Sequence, residues 1–348
     1  MGGDHGPPVV VGGIREYRKH HGGEGVRFLL NGDEAAIRAE MARCGLGEDV
    51  CEVRHTDKVV AMDEKPAQAM RRGKGSSLWN AIEAVKTGEA GAVVSAGNTG
   101  ALMAISKLIL RMSAPGLERP AIVASWPTFK GVTAVLDVGA NVESDAAQLV
   151  EFAIMGEAFM TAVHGVAKPS VGILNVGSED MKGHEEVREA ARLLREGGFG
   201  LAYHGFVEGD DIAKGTVDVV VTDGFTGNIA LKTAEGVAKF IGALTKEALT
   251  SSLLAKAGAA LAYPALKAMS AKIDPNAING GPLLGLNGIV VKSHGGATPG
   301  GFGAAIRIAV DLARSDYMTK VGASLQKLSV VLEQPPAPSA DPAKETSQ

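Results

Sequence analysis

Short runs of β-branched and other apolar residues recur along the chain, and a polar or glycine-rich turn follows most of them. These runs occupy residues 26–31, 50–55, 92–95, 121–126, 133–137, 170–175, 201–206 and 217–222. Apolar residues with helical spacing occupy residues 34–43, 77–86, 101–111, 144–163, 184–195, 228–249 and 301–314. This alternation predicts an α/β protein whose mostly parallel sheet is covered by helices on both faces. Ligands of such sheets bind at the carboxyl ends of strands, so the strand-to-helix turns are the places to search.

The segment 248–273 has a different pattern, because it contains lysines but no acidic residue. Pro264 interrupts its apolar residues, which predicts two short amphipathic helices that meet near Tyr263 and Pro264. A lysine-edged apolar face is typical of a helix at a membrane interface. A helical hairpin packed on its own domain or on a second subunit explains the pattern equally well. The residues that would contact a membrane are Leu253, Leu254, Lys256, Leu261 and Lys267.

The last fifteen residues, 334–348, are polar and rich in proline. This composition predicts a disordered tail after a single domain that spans residues 1–333.

Composition narrows the class of protein. Apolar residues make up 45% of the 348 residues, and the formal net charge is −4, which argues against a general nucleic-acid binder. Cys44 and Cys51 fit no metal-binding spacing and predict free thiols in a reducing cytoplasm. The N-terminus has no basic region followed by an apolar run, so we expect no signal peptide.

The turns after the predicted strands hold the candidate chemistry. The chain has no P-loop, no G-x-G-x-x-G fingerprint, no G-x-S-x-G elbow and no H-E-x-x-H motif. Polar, glycine-rich turns lie instead at 95–100, 137–141, 175–183 and 223–228. Backbone N–H groups in such turns, together with a following helix N-terminus, bind anions. One such turn is usually structural, but four together predict a shared anion site.

The same turns carry a resemblance to a known family. The matching segments, which follow the family's order over nearly the whole chain before the tail, include MGGDHGP at 1–7, SAGNTGA at 95–101, LDVGAN at 136–141, NVG at 175–177 with KG at 182–183, DGFTGN at 223–228 and SHG at 293–295. With these motifs the chain closely resembles the acyl-[acyl-carrier-protein]:phosphate acyltransferase (PlsX) family.

The resemblance implies transfer of a fatty acyl group from acyl-[acyl-carrier-protein] to inorganic phosphate, for phospholipid synthesis. It implies a doubly wound, three-layer α/β/α fold related to isocitrate and isopropylmalate dehydrogenases, with a protruding helical hairpin. It also implies a cytoplasmic homodimer with no cofactor, attached peripherally to the membrane, which passes acyl phosphate to a membrane-bound glycerol-3-phosphate acyltransferase. It favours the membrane interpretation of segment 248–273. Family members usually carry a short strand before the segment that begins at Met1.

The resemblance and the chemistry of the turns together suggest a site. We expect Lys182 to pair with phosphate and Asn228 to position phosphate or donate to the oxyanion. The remaining phosphate-binding candidates are Ser95, Asn98, Thr99, Asn141 and Gly227. The basic residues Arg71, Arg72 and Lys74 are candidates for docking the acidic carrier protein. His294 and His5 are either structural or part of the site, with the structural role favoured for His294.

Three other functions compete with this interpretation. In a decarboxylating dehydrogenase of the related fold, aspartate metal ligands would occupy the positions of Asn228 and Lys232. Without those carboxylates a hard divalent cation would bind poorly, so we expect no metal site. A phosphate acyltransferase specific for coenzyme A thioesters and a non-catalytic membrane scaffold for lipid-synthesis enzymes remain alternatives.

Overall fold

The computed structural model describes residues 2–115, 117–272 and 279–333, so the predicted tail 334–348 lies outside the described residues. The strands are β1 (Phe28–Gly32), β2 (Cys51–His55), β3 (Ala92–Ser95), β4 (Ala121–Thr128), β5 (Gly131–Leu136), β6 (Ser170–Leu174), β7 (Ala202–Val207), β8 (Val219–Val221), β9 (Gly281–Leu284) and β10 (Ile289–Lys292). The helices are α1 (Pro7–His21), α2 (Glu34–Cys44), α3 (Pro66–Arg72), α4 (Ser77–Lys86), α5 (Thr99–Leu110), α6 (Ala146–His164), α7 (Glu185–Glu196), α8 (Gly209–Lys214), α9 (Gly224–Thr250), α10 (Leu253–Lys272), α11 (Pro299–Arg314) and α12 (Tyr317–Glu333).

The strands form two sheets with helices on both sides. β1 and β2 make a small parallel sheet, and the other eight strands follow the order β3-β10-β9-β4-β5-β8-β6-β7. Most pairs are parallel, as predicted, but β9 is antiparallel to β10 and β4, and β4 is antiparallel to β5. These three reversals turn the strands β5, β8, β6 and β7 opposite to β3. The fold class is therefore a mixed α/β sheet between helical layers.

Helix α6 anchors the larger half of the core. Its N-terminus has a capping box, in which Asp145 and Gln148 each satisfy a backbone N–H of the other residue. Phe152 and Phe159 on this helix are almost completely buried among strands of the large sheet. In the described part of the chain α6 is the one helix long and apolar enough to cross a membrane, but 61% of its apolar window is buried in the core.

Helices α9 and α10 form a hairpin that turns at residues 251–252 and not near Tyr263 and Pro264 as predicted. From Lys232 to Thr250, most of α9 is exposed, and only two residues separate it from α10. The prediction of two short helices meeting at Pro264 is wrong, because α10 runs continuously through this proline. Proline removes the hydrogen-bond donor to the carbonyl of Ala260, but Ala260 is exposed, so water can replace the missing N–H.

Candidate functional site

Three of the four polar turns meet at one edge of the large sheet. Strands β5, β8 and β6 are parallel neighbours, so the turns 137–141, 223–228 and 175–183 all leave the same edge. Asn228 lies against the first of these turns, since a Cβ added at Gly139 would be 3.5 Å from its side-chain atoms. The structure therefore brings Asn141, Gly227, Asn228 and Lys182 to one edge.

Asp137 organises the first turn, and the sequence analysis did not identify it as a functional residue. Its buried carboxylate accepts hydrogen bonds from the backbone N–H of Ile122 at 3.0 Å, Ala140 at 3.0 Å and Asn141 at 2.7 Å. Burial raises the pKa of Asp137, and these donors oppose the rise. An acidic residue directly between an apolar strand and Val-Gly was the available signal. Asp137 thus fixes the backbone beneath the site.

Asn141 supports the turn from below. It is 1% exposed, and its side-chain amide donates to the carbonyl of Pro120 and to Asp137 Oδ2, each at 3.0 Å. The side-chain amide of Asn141 therefore forms its hydrogen bonds inside the protein, and its predicted contact with phosphate stays a prediction.

Two glycines let the first turn of α9 pack directly on the turn of Asp137. A Cβ added at Gly224 would lie 2.6 Å from Asp137 Oδ2, and one at Gly227 would overlap the carbonyl oxygen of Asp137. Asp223 caps the helix by accepting from the backbone N–H of Thr226 at 2.8 Å. Gly227 is thus a packing residue whose neighbour Asn228 is exposed at the helix N-terminus, where an anion is stabilised by the helix dipole.

The third turn holds Lys182 in a closed loop. Asn175 Nδ2 donates to the carbonyl oxygen of Lys182 at 3.1 Å, and the backbone N–H of Lys182 donates to the carbonyl of Glu179 at 3.0 Å. The ammonium group of Lys182 lies 2.8 Å from Glu179 Oε1. This hydrogen bond raises the pKa of Lys182, so the side chain is charged at neutral pH.

Exposed apolar side chains lie next to the polar residues of these turns along the chain. We call this set the apolar rim, and its members with their exposed fractions are Val142 (69%), Val176 (77%), Met181 (85%), Phe225 (58%) and Ile229 (49%). Met181 precedes Lys182 in the chain, and Ile229 follows Asn228. Single exposed apolar residues are ordinary, but a group around one polar centre is typical of a binding site for an apolar ligand.

The fourth polar turn lies elsewhere. Because β3 runs opposite to β5, β6 and β8, Ser95, Asn98 and Thr99 leave the opposite edge of the sheet. Asn98 is occupied by local contacts: its Nδ2 donates to the carbonyls of Met62 and Glu64, both at 2.8 Å, and its Oδ1 caps α5. The structure does not bring these three residues to Lys182, and their role as phosphate ligands stays a prediction.

Lys292 is a partly buried cation that the sequence analysis did not single out. It ends β10 beside Ser95, and burial lowers its pKa to about 8. Its ammonium group donates to the carbonyl oxygens of Ser293 and Ala96. Two residues after Lys292, His294 Nδ1 accepts from the backbone N–H of Gly296 at 3.1 Å, a local contact of the kind expected for the structural role favoured for this histidine.

The predicted docking and membrane residues are exposed. Arg71 and Arg72 end α3, Lys74 follows it, and none of the three forms an ion pair within the described residues. On the hairpin, the exposed fractions of Leu253, Leu254 and Leu261 are 86%, 85% and 87%. Lys256 and Lys267 are exposed on the same helix.

Within the described ranges, no group of three or more His, Cys, Asp or Glu residues is arranged to hold a metal ion.

Comparisons with known proteins match this chain to one family model and to relatives that share one name. A family model described as "Fatty acid synthesis protein" matches residues 1–320. A phosphate acyltransferase of Caulobacter vibrioides is 67% identical over 329 residues, which cover 94% of this chain and 91% of the relative. A phosphate acyltransferase of Phenylobacterium zucineum is 61% identical over 342 residues, which cover 97% and 95% of the two chains.

Solved structures share the fold at low sequence identity. A phosphotransacetylase from Streptococcus pyogenes has a TM-score of 0.62 at 17% identity and covers 88% of this chain and 91% of its own. A branched-chain phosphotransacylase from Enterococcus faecalis has a TM-score of 0.54 at 12% identity, with coverage of 90% and 97%. At such identities the likeness concerns the fold alone.

Proposed function

The chain belongs to the phosphate acyltransferase family, and on that premise we propose that the edge formed by the turns after β5, β6 and β8 is its catalytic site. The resemblance seen in the sequence is confirmed, and the protein is an enzyme that transfers an acyl group to phosphate for phospholipid synthesis. Its enzymatic nature sets aside the alternative of a non-catalytic scaffold. The donor, the subunit arrangement and the membrane contact are further parts of the proposal.

The observation that carries the assignment is the combination of a charged lysine, an amide and a helix N-terminus inside the apolar rim. A phosphate oxygen attacks the thioester carbonyl, the carbon–sulfur bond breaks, and the proton of hydrogen phosphate ends on the departing thiol. Lys182 would neutralise the phosphate dianion, and Asn228 would orient it or stabilise the oxyanion. The rim would shield the first carbons of the acyl chain, where each buried CH₂ contributes about 0.8 kcal/mol.

A direct assay tests this function. We expect labelled inorganic phosphate to enter a hydroxylamine-sensitive acyl phosphate when the purified full chain is given an acyl thioester, without ATP, NAD or added metal. Acyl-[acyl-carrier-protein] and acyl-coenzyme A of equal chain length should be compared side by side. Turnover with the coenzyme A thioester alone would favour the second candidate, a coenzyme A-specific phosphate acyltransferase.

We expect reversal of charge at Arg71 and Arg72 to impair use of the carrier protein. These exposed arginines form no ion pair with any residue that the structure describes, so they can meet an acidic partner, and such contacts set association rate and specificity. Arg71→Glu with Arg72→Glu should raise the apparent KM for the acyl carrier on the order of five- to tenfold and spare acyl-coenzyme A. Arg15→Glu with Lys19→Glu on α1 makes the same charge change and is the control. Equal losses with both donors would exclude docking at α3.

The α9–α10 hairpin is proposed as the contact with a second subunit and with the membrane. Helix α9 exposes Val237, Phe240, Ile241 and Leu244, which share one face by their spacing of three and four residues. Such an apolar stripe is suited to pack against the same stripe of a second subunit in a homodimer. The tip of the hairpin and helix α10 expose leucines near lysines, and no acidic residue occurs from 248 to 272. This combination suits contact with anionic lipid.

We expect Leu254→Glu with Leu261→Glu to release the protein from vesicles containing phosphatidylglycerol. The change removes two exposed apolar anchors and adds two negative charges, whereas each lysine contributes only about 1 kcal/mol of attraction. Cosedimentation in low and high salt measures the effect, and Phe129→Glu, in the β4–β5 turn, is the control. The variant should remain a dimer in sedimentation and stay active with a soluble donor, since both leucines lie outside α9. Undiminished binding to the vesicles would exclude this membrane contact.

Several expectations accompany these proposals. We propose a cytoplasmic enzyme at the inner membrane surface, which supplies acyl phosphate to a membrane-bound glycerol-3-phosphate acyltransferase. The two leucine-rich patches of a dimer would bind a membrane far better than one patch. The single domain over 1–333 and the kinship with isocitrate and isopropylmalate dehydrogenases belong to the same proposal.

A further inference from the structure

The cation assigned to phosphate already has an anionic partner. Lys182 Nζ lies 2.8 Å from Glu179 Oε1, and the two side chains are 49% and 61% exposed. The pairing raises the pKa of Lys182 and lowers that of Glu179, so both groups are ionised at neutral pH. Glu208 adds a weaker attraction to the same ammonium group.

The backbone of the turn forms a floor beneath this pair. Gly177 is buried, and a Cβ added there would lie 2.7 Å from Glu179 Oε2 and 2.8 Å from Lys182 Nζ. The carboxylate and the ammonium group therefore both rest on Gly177 at the carboxyl end of β6. The hydrogen bonds from Asn175 and within the loop hold the backbone on either side of them.

We propose that Glu179 is a positioning residue that occupies the anion position of Lys182 until inorganic phosphate displaces it. This inference rests on the proposed function, in which Lys182 binds phosphate. The carboxylate keeps the lysine extended over Gly177, and a phosphate dianion takes its place because it carries more charge and more acceptor oxygens. The same exchange in reverse helps acyl phosphate to leave after the transfer.

The strength of the ion pair sets the size of the effect. Exposed pairs contribute up to about 1 kcal/mol, which corresponds to roughly fivefold in a binding constant. Glu179 thus weakens phosphate binding by a small factor and leaves the site responsive to the phosphate concentration.

Glu179→Gln in the full-length enzyme tests the proposal. We expect the KM for inorganic phosphate and the inhibition constant of sulfate, a tetrahedral dianion, both to fall about two- to fivefold. The KM for the acyl thioester should not change. Calorimetric titration with phosphate alone gives a readout that is independent of turnover. Glu196→Gln is the matched control, because it removes the same charge from an exposed ion pair with Arg192 on α7.

Unchanged or raised constants for phosphate and sulfate in Glu179→Gln would overturn the role of Glu179. Lys182→Ala in the same assays separates this result from a failure of the site. If Lys182→Ala weakens phosphate binding while Glu179→Gln changes nothing, only the role of Glu179 is lost. If Lys182→Ala leaves phosphate and sulfate binding unchanged, the phosphate site itself has been placed wrongly.

Discussion

Lys182→Ala is expected to lower kcat/KM for acyl phosphate formation by about 100- to 1000-fold, the loss of about 2.7–4 kcal/mol that follows removal of an oxyanion donor. The reason is that Lys182 carries the positive charge of the turn after β6, at the sheet edge shared with Asn228. The fold should persist, because the side chain is half exposed and its loop is closed by backbone groups and Asn175. Steady-state kinetics with labelled phosphate measure the loss, and the melting temperature reports on the fold.

Lys214→Ala is the control for this result. Lys214 is 55% exposed, against 49% for Lys182, and it pairs with Asp210 at 2.7 Å and Asp211 at 3.3 Å on α8, so its removal costs the same charge and comparable ion pairs. We expect it to change kcat/KM less than twofold. A similarly small change in Lys182→Ala would remove this lysine from the catalytic site.

Gly227→Ala is expected to destabilise the protein by roughly 3 kcal/mol or more and to abolish activity. The added methyl group would overlap the carbonyl oxygen of Asp137, which belongs to backbone and cannot rotate away as a side chain can. The first turn of α9 must then separate from the Asp137 turn, which displaces Asn228. Thermal and denaturant unfolding measure the stability, and the phosphate assay measures the activity.

Gly236→Ala, on the same helix, is the matched control. A Cβ at this position would meet none of the described residues within 4 Å, and alanine is the better helix former by about 0.8–1.0 kcal/mol. This variant should therefore be as stable as the parent or more stable, with unchanged turnover. If both glycine variants behave alike, the packing of α9 on the Asp137 turn does not constrain the site.

The sequence predicted the chemistry of the turns better than their arrangement. Asn98 and Asn228 follow strands in similar glycine-rich motifs, yet they lie at opposite edges of the sheet. The difference arises at the antiparallel pairing of β4 with β5, because β9 is antiparallel to both β10 and β4 and so leaves those two strands parallel to each other. No local pattern near residue 98 or 228 contains that information.

Helix α1 was missed for a related reason. Gly12 and Gly13 interrupt its apolar face, and glycine inside a segment normally argues against a helix. In the folded protein these glycines let Pro299 and Phe302 of α11 approach closely, so tertiary packing compensates for the low helix propensity.

The burial of Asn141 could not be predicted from the sequence either, because an asparagine fits the role of a ligand and that of a structural amide equally well.

The length of helix α9 fixes the distance between the proposed site at Asn228 and the proposed membrane contact at the hairpin tip. Its 27 residues span roughly 40 Å from the turn of Asn228 to the leucines at the hairpin tip. That length is close to the thickness of a whole bilayer with its headgroups, whereas one leaflet contributes only about half of the ~30 Å hydrocarbon core. Under the proposed assignments, with the acyl phosphate formed at Asn228 and with Leu253 and Leu254 in contact with lipid, an acyl chain about one leaflet long would not span this distance. The two proposals together then require either that α9 lies along the membrane plane or that the acyl phosphate leaves the enzyme completely before it meets the bilayer.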